Sequence, residues 1–234
     1  MSIKAILFDF GGTLDTSGVH WYPKFKELYQ QHQLPVADAD LREAYIYGER
    51  ELGKMESLDN IDMFDLLYIK IKNQLLYLKN NRKMLVGNDL KLAMVTALYK
   101  DIEETLSENF EIIKSLKNKY KIGIVSNFYG NLKFILERLD YLKYLDLVVD
   151  SKKIGIRKPD VKIWQFAIDE LNLKNQEAAI VGDSYENDIV PAMKLGARSI
   201  WLKNKLWKDT PESVSVDVVV DNFRDISEAI KQFK

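Results

Sequence analysis

The sequence predicts an α/β fold, a doubly wound parallel sheet interrupted early by an inserted all-helical cap domain. Three observations lead there. Short apolar runs recur along the chain and end abruptly in glycine or polar residues, as strands buried on both faces do. Between most of them lie stretches with apolar residues at three- and four-residue spacing, and strand alternating with helix implies parallel strands joined by right-handed crossovers. From 17 to 99 the alternation stops, and helix-like periodicity runs on without a strand-like segment.

Residues 3–8 form the first apolar run, closed by Asp9-Phe10-Gly11-Gly12-Thr13. Helices are expected over 21–31, 41–55 and 61–78, and the polar stretch 79–83 with its two asparagines reads as a loop. A helix over 101–120 carries Leu106, Phe110, Ile113 and Leu116 on one stripe. Strands follow at 121–125, 145–149, 178–181, 198–202 and 216–220. Helices are expected at 159–171, with Pro159 tolerated in its first turn, and at 189–195, with Gly196 as its stop. The resulting division is a core of 1–16 and 100–234 and a helical cap of 17–99, with junctions near Thr16-Ser17 and 97–101.

Composition narrows the function. The 234 residues are 47% hydrophobic, ample for a packed core. Lysine plus arginine (34) and aspartate plus glutamate (35) balance to a net charge of -1, so nothing advertises nucleic acid or an anionic membrane. With no cysteine there is no thiol nucleophile, no disulfide and no cysteine metal site, which fits a reducing compartment. The start is interrupted by Asp9 too soon for a signal peptide, and no apolar run reaches membrane-spanning length. The expectation is a soluble, cytoplasmic protein.

In an open α/β sheet ligands bind beyond the carboxyl ends of the strands. Those ends carry Asp9, Ser126-Asn127 and Asp183, and Lys158 follows the third strand. Polar residues far apart in sequence should therefore converge on one edge.

Asp9-Phe10-Gly11-Gly12-Thr13-Leu14 resembles the first motif of the haloacid dehalogenase-like hydrolases, a Rossmann-like family. Ser126-Asn127 is similar to their second motif, Lys158-Pro159 to the third, and Gly182-Asp183-Ser184-Tyr185-Glu186-Asn187-Asp188 to the fourth. The four come in the family's order, and the helical insert stands where such proteins carry a cap. The resemblance implies a phosphatase acting on a small phosphorylated metabolite, with Asp9 as the nucleophile that forms an aspartyl-phosphate. It implies Mg2+ held by Asp9, Asp183 and the Gly11 carbonyl, with Asp188 a ligand through water or the partner that orients Lys158. Lys158 would offset the crowded negative charge, while Gly12, Thr13, Ser126 and Asn127 would shape the loop and hold the transferring oxygens.

Each residue also has a plainer role. Asp9 and Ser126-Asn127 could simply make turns, and Asp188 could cap the helix over 189–195. His20 and His32 read as surface or packing residues, Trp21, Tyr22, Tyr45 and Tyr47 as cap core, and Glu103-Glu104 as helix surface.

One position departs from the family pattern. Its phosphatases carry a second aspartate two residues after the nucleophile, which protonates the leaving group and activates water. Here that residue is Gly11, with no side chain. The dehalogenase branch also lacks that aspartate, but its fourth motif differs from the Asn187-Asp188 pattern. The phosphonoacetaldehyde hydrolases have a small residue there and a cap lysine that forms a Schiff base, for which Lys54 after Gly53 is the candidate. A metal- and phosphate-binding module with weak catalysis is the remaining alternative. Asp15 is near enough in sequence to replace the acid, but is expected to point along the cap hinge.

Overall fold

The computed structural model describes residues 2–205 and 215–233, so residues 1, 206–214 and 234 of the expected core lie outside the described residues. Among the described residues, six parallel strands form one sheet: β1 (Ala5–Phe8), β2 (Lys121–Ser126), β3 (Leu147–Asp150), β4 (Ala178–Gly182), β5 (Arg198–Leu202) and β6 (Val218–Val220). Their order is β3-β2-β1-β4-β5-β6. The chain thus winds outward from β1 in both directions, and the switch point falls between β1 and β4. There Phe8 is in register with Ile124 on one side and Val181 on the other.

Alternation along each strand builds two core layers. Ile6, Phe8, Ile122, Ile124, Ile200 and Leu202 face one side, where Phe110, Ile113 and Phe223 pack on them. Ala5, Leu7, Val125, Ala178 and Ile180 face the other, against Ile163, Trp164, Ala167, Ile168 and Ala192. The latter belong to α7 (Lys162–Glu170) and α8 (Val190–Leu195). In chain order, α5 (Leu132–Arg138) and α6 (Ser151–Ile154) flank β3, and α9 (Ile226–Lys231) ends the described chain.

Between β1 and β2 lie α1 (Trp21–Gln31), α2 (Asp38–Lys54), α3 (Met63–Arg82) and α4 (Asn88–Lys117). The predicted loop at 79–83 is instead the last turn of α3, which ends at Lys83 in a left-handed conformation. Arg82 ties α3 to α2 by pairing with Asp40 at 2.7 Å, while the Asn81 amide donates to the Tyr77 carbonyl within α3 at 2.9 Å. The helix expected over 101–120 is the second half of α4, a 30-residue helix that runs unbroken through 97–101. Its stripe of Met94, Leu98, Ile102, Leu106, Phe110 and Ile113 packs on the inserted helices at one end and on the sheet at the other, in one continuous apolar cluster. No described helix is long and apolar enough to cross a membrane.

Candidate active site

Asp9 leaves β1 with its N–H still in the sheet, donating to the Val181 carbonyl at 2.9 Å. The chain then turns tightly over Phe10 to Leu14, with the Leu14 N–H returning to the Phe10 carbonyl at 2.9 Å. Phe10 and Leu14, both fully buried, anchor the turn in the core. Gly12 has φ +99°, and a Cβ there would lie 2.6 Å from the Asp183 carboxylate. Only glycine lets the backbone pass so close to that carboxylate in that conformation. Gly182 is similarly constrained, since a Cβ there would meet Asp188 at 2.2 Å.

Asp9, Asp183 and Asp188 are all buried, each with an oxygen within 4.8 Å of the others. Lys158 Nζ donates to Asp9 Oδ1 at 2.5 Å and to Asp188 Oδ1 at 2.7 Å. The Thr13 hydroxyl donates toward Asp9 Oδ2 and Asp183 Oδ1, both at 3.2 Å, and accepts the Asp183 N–H at 2.9 Å. Asp188 Oδ2 accepts the Ser184 N–H at 3.0 Å. Asp188 is therefore not the cap of 189–195: the helix opens with a wide π-type turn over Tyr185–Ile189, capped by the Ser184 hydroxyl.

Burial sets the charge balance. It pushes the Asp183 carboxyl well above the usual range, and the charges of Asp9 and Asp188 push it further. Asp188 is raised by burial too, against the pull of Lys158. Burial alone would favour a neutral amine on Lys158, but Asp188 and Asp9 outweigh it and raise its pKa.

The carboxylates floor a cavity of about 280 Å³ between the strand ends and the inserted helices. Asp9, Gly11, Ser126, Asn127, Lys158, Asp183 and Asp188 reach its wall. Gly12 and Thr13 are not on that wall, and the Thr13 hydroxyl is bonded to Asp9 and Asp183. Asn127 spends its amide on the Lys158 backbone, accepting its N–H at 2.9 Å and donating to its carbonyl at 3.0 Å. That clamp aims Lys158.

The inserted helices supply the opposite wall, including residues the sequence reading missed. Lys70, only 5% exposed, donates to Glu49 Oε1 at 2.7 Å and to the Tyr129 hydroxyl at 2.8 Å. The signal was a lysine in the middle of the apolar stripe Leu66, Leu67, Ile71 and Leu75. Trp21 and Tyr45 line the cavity besides packing, whereas Tyr22 is buried and Tyr47 packs on Tyr77. His20 caps α1, with Nδ1 accepting the Tyr22 N–H at 3.1 Å, and burial lowers its pKa to about 4. His32 bonds the Leu28 carbonyl. Lys54, the Schiff-base candidate, is misplaced for that role: its side chain is 71% exposed, paired with Glu51 at 2.6 Å, and off the cavity wall. Asn109, from the apolar stripe of α4, donates to the Leu14 carbonyl at 2.8 Å and braces the Asp9 turn.

A doubly wound sheet with a carboxylate-lysine cluster at its switch point, roofed by helices inserted after the first strand, defines a class of α/β hydrolase. The chain belongs to the haloacid dehalogenase-like hydrolases, whose family model matches residues 3–196. It is 27% identical to the glyceraldehyde 3-phosphate phosphatase of Methanothermobacter thermautotrophicus, covering 97% of this chain and 100% of that one. The Methanopyrus kandleri protein of the same name is 26% identical, over 98% of both chains. The pyrimidine 5'-nucleotidase YjjG of Escherichia coli is 28% identical over 51% of this chain and only 53% of its own length. Among solved structures, an HAD phosphatase from Thermococcus onnurineus superposes with a TM-score of 0.55 at 21% identity, covering 97% of each chain. The HAD-hydrolase YfnB from Bacillus subtilis, bound to magnesium, gives 0.58 at 14% identity over 98% of this chain and 99% of that one. At those identities the structural likeness shows the fold alone.

Proposed function

We propose that this protein is a magnesium-dependent phosphatase that hydrolyses a small phosphorylated metabolite through an aspartyl-phosphate on Asp9. The observation that carries the proposal is the setting of Asp9. It sits at the cavity floor, with Oδ1 on the Lys158 ammonium and two further buried carboxylates within reach of one ion. The full-length relatives named as phosphatases of a triose phosphate support the substrate class.

The donor set fits magnesium. Three buried carboxylates face one lysine, so acidic groups outnumber the cation there, and all the donors are hard oxygens. Asp9, Asp183 and the Gly11 carbonyl would hold the ion. Asp188, already bonded to Lys158, fits the part of orienting that lysine. When bound, the ion would offset the repulsion between the carboxylates and a phosphate dianion.

The chain's own residues do the rest. Asp9 attacks phosphorus, held from rotating by Thr13 and Lys158. Lys158, aimed by Asn127 and Asp188, meets the charge that builds on the phosphoryl oxygens. Ser126, at the end of β2, offers its hydroxyl to the same group from across the floor. The inserted helices close the cavity from above and present Lys70, Trp21 and Tyr45 to the remainder of the substrate. The absence of cysteine suits a cytoplasmic setting.

The test is phosphate release from a panel of metabolite phosphates with magnesium, with Asp9→Asn as control. Turnover that requires both magnesium and Asp9 supports the proposal. No release across the panel, or release undiminished in Asp9→Asn, overturns it and leaves a binding module.

A further inference from the structure

We propose that Asp15 is the general acid and base of this site, doing from six residues beyond the nucleophile what Gly11 cannot. This inference rests on the phosphatase reading above. Contrary to the sequence expectation, Asp15 does not point along a hinge. Asp15 is 1% exposed and lines the same cavity as Asp9.

The position is built. Asp15 Oδ1 accepts the Gly12 N–H at 2.7 Å, and Oδ2 accepts the Trp21 indole N–H at 3.1 Å. The same indole nitrogen stands 3.6 Å from where a Cβ on Gly11 would lie. Trp21 therefore borders the space beside Gly11, and its indole N–H links that space to the Asp15 carboxylate. Asp15, Gly11 and Trp21 thus line the same stretch of cavity wall as Asp9, and a Cβ at residue 11 would sit in ordinary contact with the indole.

The surroundings suit proton transfer. Burial raises the Asp15 pKa from 3.8 to about 7; the Asp9 charge adds to that, while the Gly12 N–H, Lys70 and the Trp21 N–H pull it down. An acid that must give up and recover a proton works best near the ambient pH. The charged and titratable groups around it are Asp9 and Asp183 from the strand ends, Lys70 from α3 and Tyr129 after β2. Lys70 stabilises the carboxylate only at a distance, because its ammonium donates to Glu49 and Tyr129 instead.

The steps balance. Asp9 bonds to phosphorus as the ester P–O bond breaks, and protonated Asp15 gives its proton to the departing alkoxide, which leaves as the alcohol. Water then attacks the aspartyl-phosphate. Its proton returns to Asp15, its oxygen stays on phosphorus, and the Asp9 carboxylate is restored as phosphate leaves. A carboxylate that merely stapled the turn would make the same two hydrogen bonds, so the test must read proton transfer rather than folding.

The experiment compares wild type, Asp9→Asn and Asp15→Asn with magnesium on two esters: p-nitrophenyl phosphate, whose leaving group needs no proton, and the alkyl phosphate best hydrolysed in the panel. In Asp15→Asn, kcat/KM for the alkyl ester should fall by about 10²–10⁴-fold and that for the aryl ester far less, while phosphoenzyme on Asp9 accumulates in acid-quenched samples. Adding Gly11→Asp to Asp15→Asn should recover part of the alkyl activity. Trp21→Phe keeps Asp15 and removes one donor to its carboxylate, so the high-pH fall of kcat/KM should move to higher pH. Equal losses on both esters, no loss on either, or an unmoved limb in Trp21→Phe would overturn the assignment. An active wild type with a dead Asp9→Asn and no leaving-group dependence sinks this inference alone. A wild type inactive on both esters sinks the phosphatase reading and this inference with it.

Discussion

Replacing Lys158 with methionine tests the charge balance of the site without altering its volume much. The ammonium is 2.5 Å from Asp9 and 2.7 Å from Asp188, and its side chain is 2% exposed. At an effective dielectric of about 20, each contact is worth roughly 6 kcal/mol of Coulomb energy, most of which is returned in desolvating the ions. Removing one partner of such a buried cluster typically costs about 3–5 kcal/mol, because the remaining carboxylates stay buried and unpaired. For a chain of this size, that is a fall in melting temperature of roughly 6–20 °C. The sign with pH follows from the carboxyls. Asp183 and Asp188 already lie above their ordinary 3.8, raised by burial, and losing Lys158 raises them further. A carboxyl with a raised folded-state pKa contributes its stability below the unfolded value and loses it as pH rises through the folded value. Melting curves in chelator should therefore show the full deficit near about pH 8 and less than half of it near about pH 5. Equal deficits at both pH values, or none at either, would refute the picture of a lysine holding together charges that otherwise repel.

Three further outcomes follow from individual contacts. Gly12→Ala forces a left-handed conformation on a residue whose Cβ would lie 2.6 Å from the Asp183 carboxylate. It should cost about 1–3 kcal/mol in chemical unfolding and most of the activity, and a variant as active as wild type would contradict the loop geometry. Lys54→Ala should leave kcat/KM within about twofold and borohydride trapping with an aldehyde should label nothing at Lys54, since its ammonium is exposed and paired with Glu51; Lys70→Met, on the cavity wall, should raise KM.

Much of the fold was legible because parallel strands buried on both faces read as plain apolar runs, and because each run ends where its polar cargo begins. β2, β4 and β5 begin where the sequence places them. The long helix α4 was not legible as one piece. Its apolar stripe continues from Met94 and Leu98 to Ile102 and Leu106 with no change of period, so nothing in the sequence marks a passage from inserted helices to core. The turn at 79–83 misled for a related reason: asparagines favour loops locally, but the ion pairs of Arg82 with Asp40 and Glu43 of α2 hold the helix to its last turn. Strand-end residues of the site were legible because topology alone brings them together. Thr13 and Asn127 were placed in the site without their hydrogen-bond partners, since which way a hydroxyl or amide turns depends on groups distant in sequence.

The roof of the site follows a different logic, and it explains why Asp15 was misread. Lys70, Glu49 and Tyr129 form a polar cluster only when α2, α3 and the segment after β2 meet, so no spacing within one segment announces it. Asp15 sits at the end of a tight turn, where an aspartate ordinarily bonds its own backbone, and it does accept the Gly12 N–H. What lifts it beyond that role is Trp21, the first residue of the inserted helices, whose indole packs 5.6 Å from the fully buried ring of Phe25. The apolar cluster runs without a break from the strands through Phe10 and Phe25 into α2 and α3. The position of the indole, and through it one oxygen of the Asp15 carboxylate, is therefore fixed by how the inserted helices pack on the sheet. A movement that lifts α1 from the strand ends would withdraw that donor and admit water, and the loss of burial, the largest cause of the raised Asp15 pKa, would outweigh the lost indole N–H and lower it. Packing of the roof and protonation of the site are thereby one coupled equilibrium, which residues 9–15 alone could not reveal.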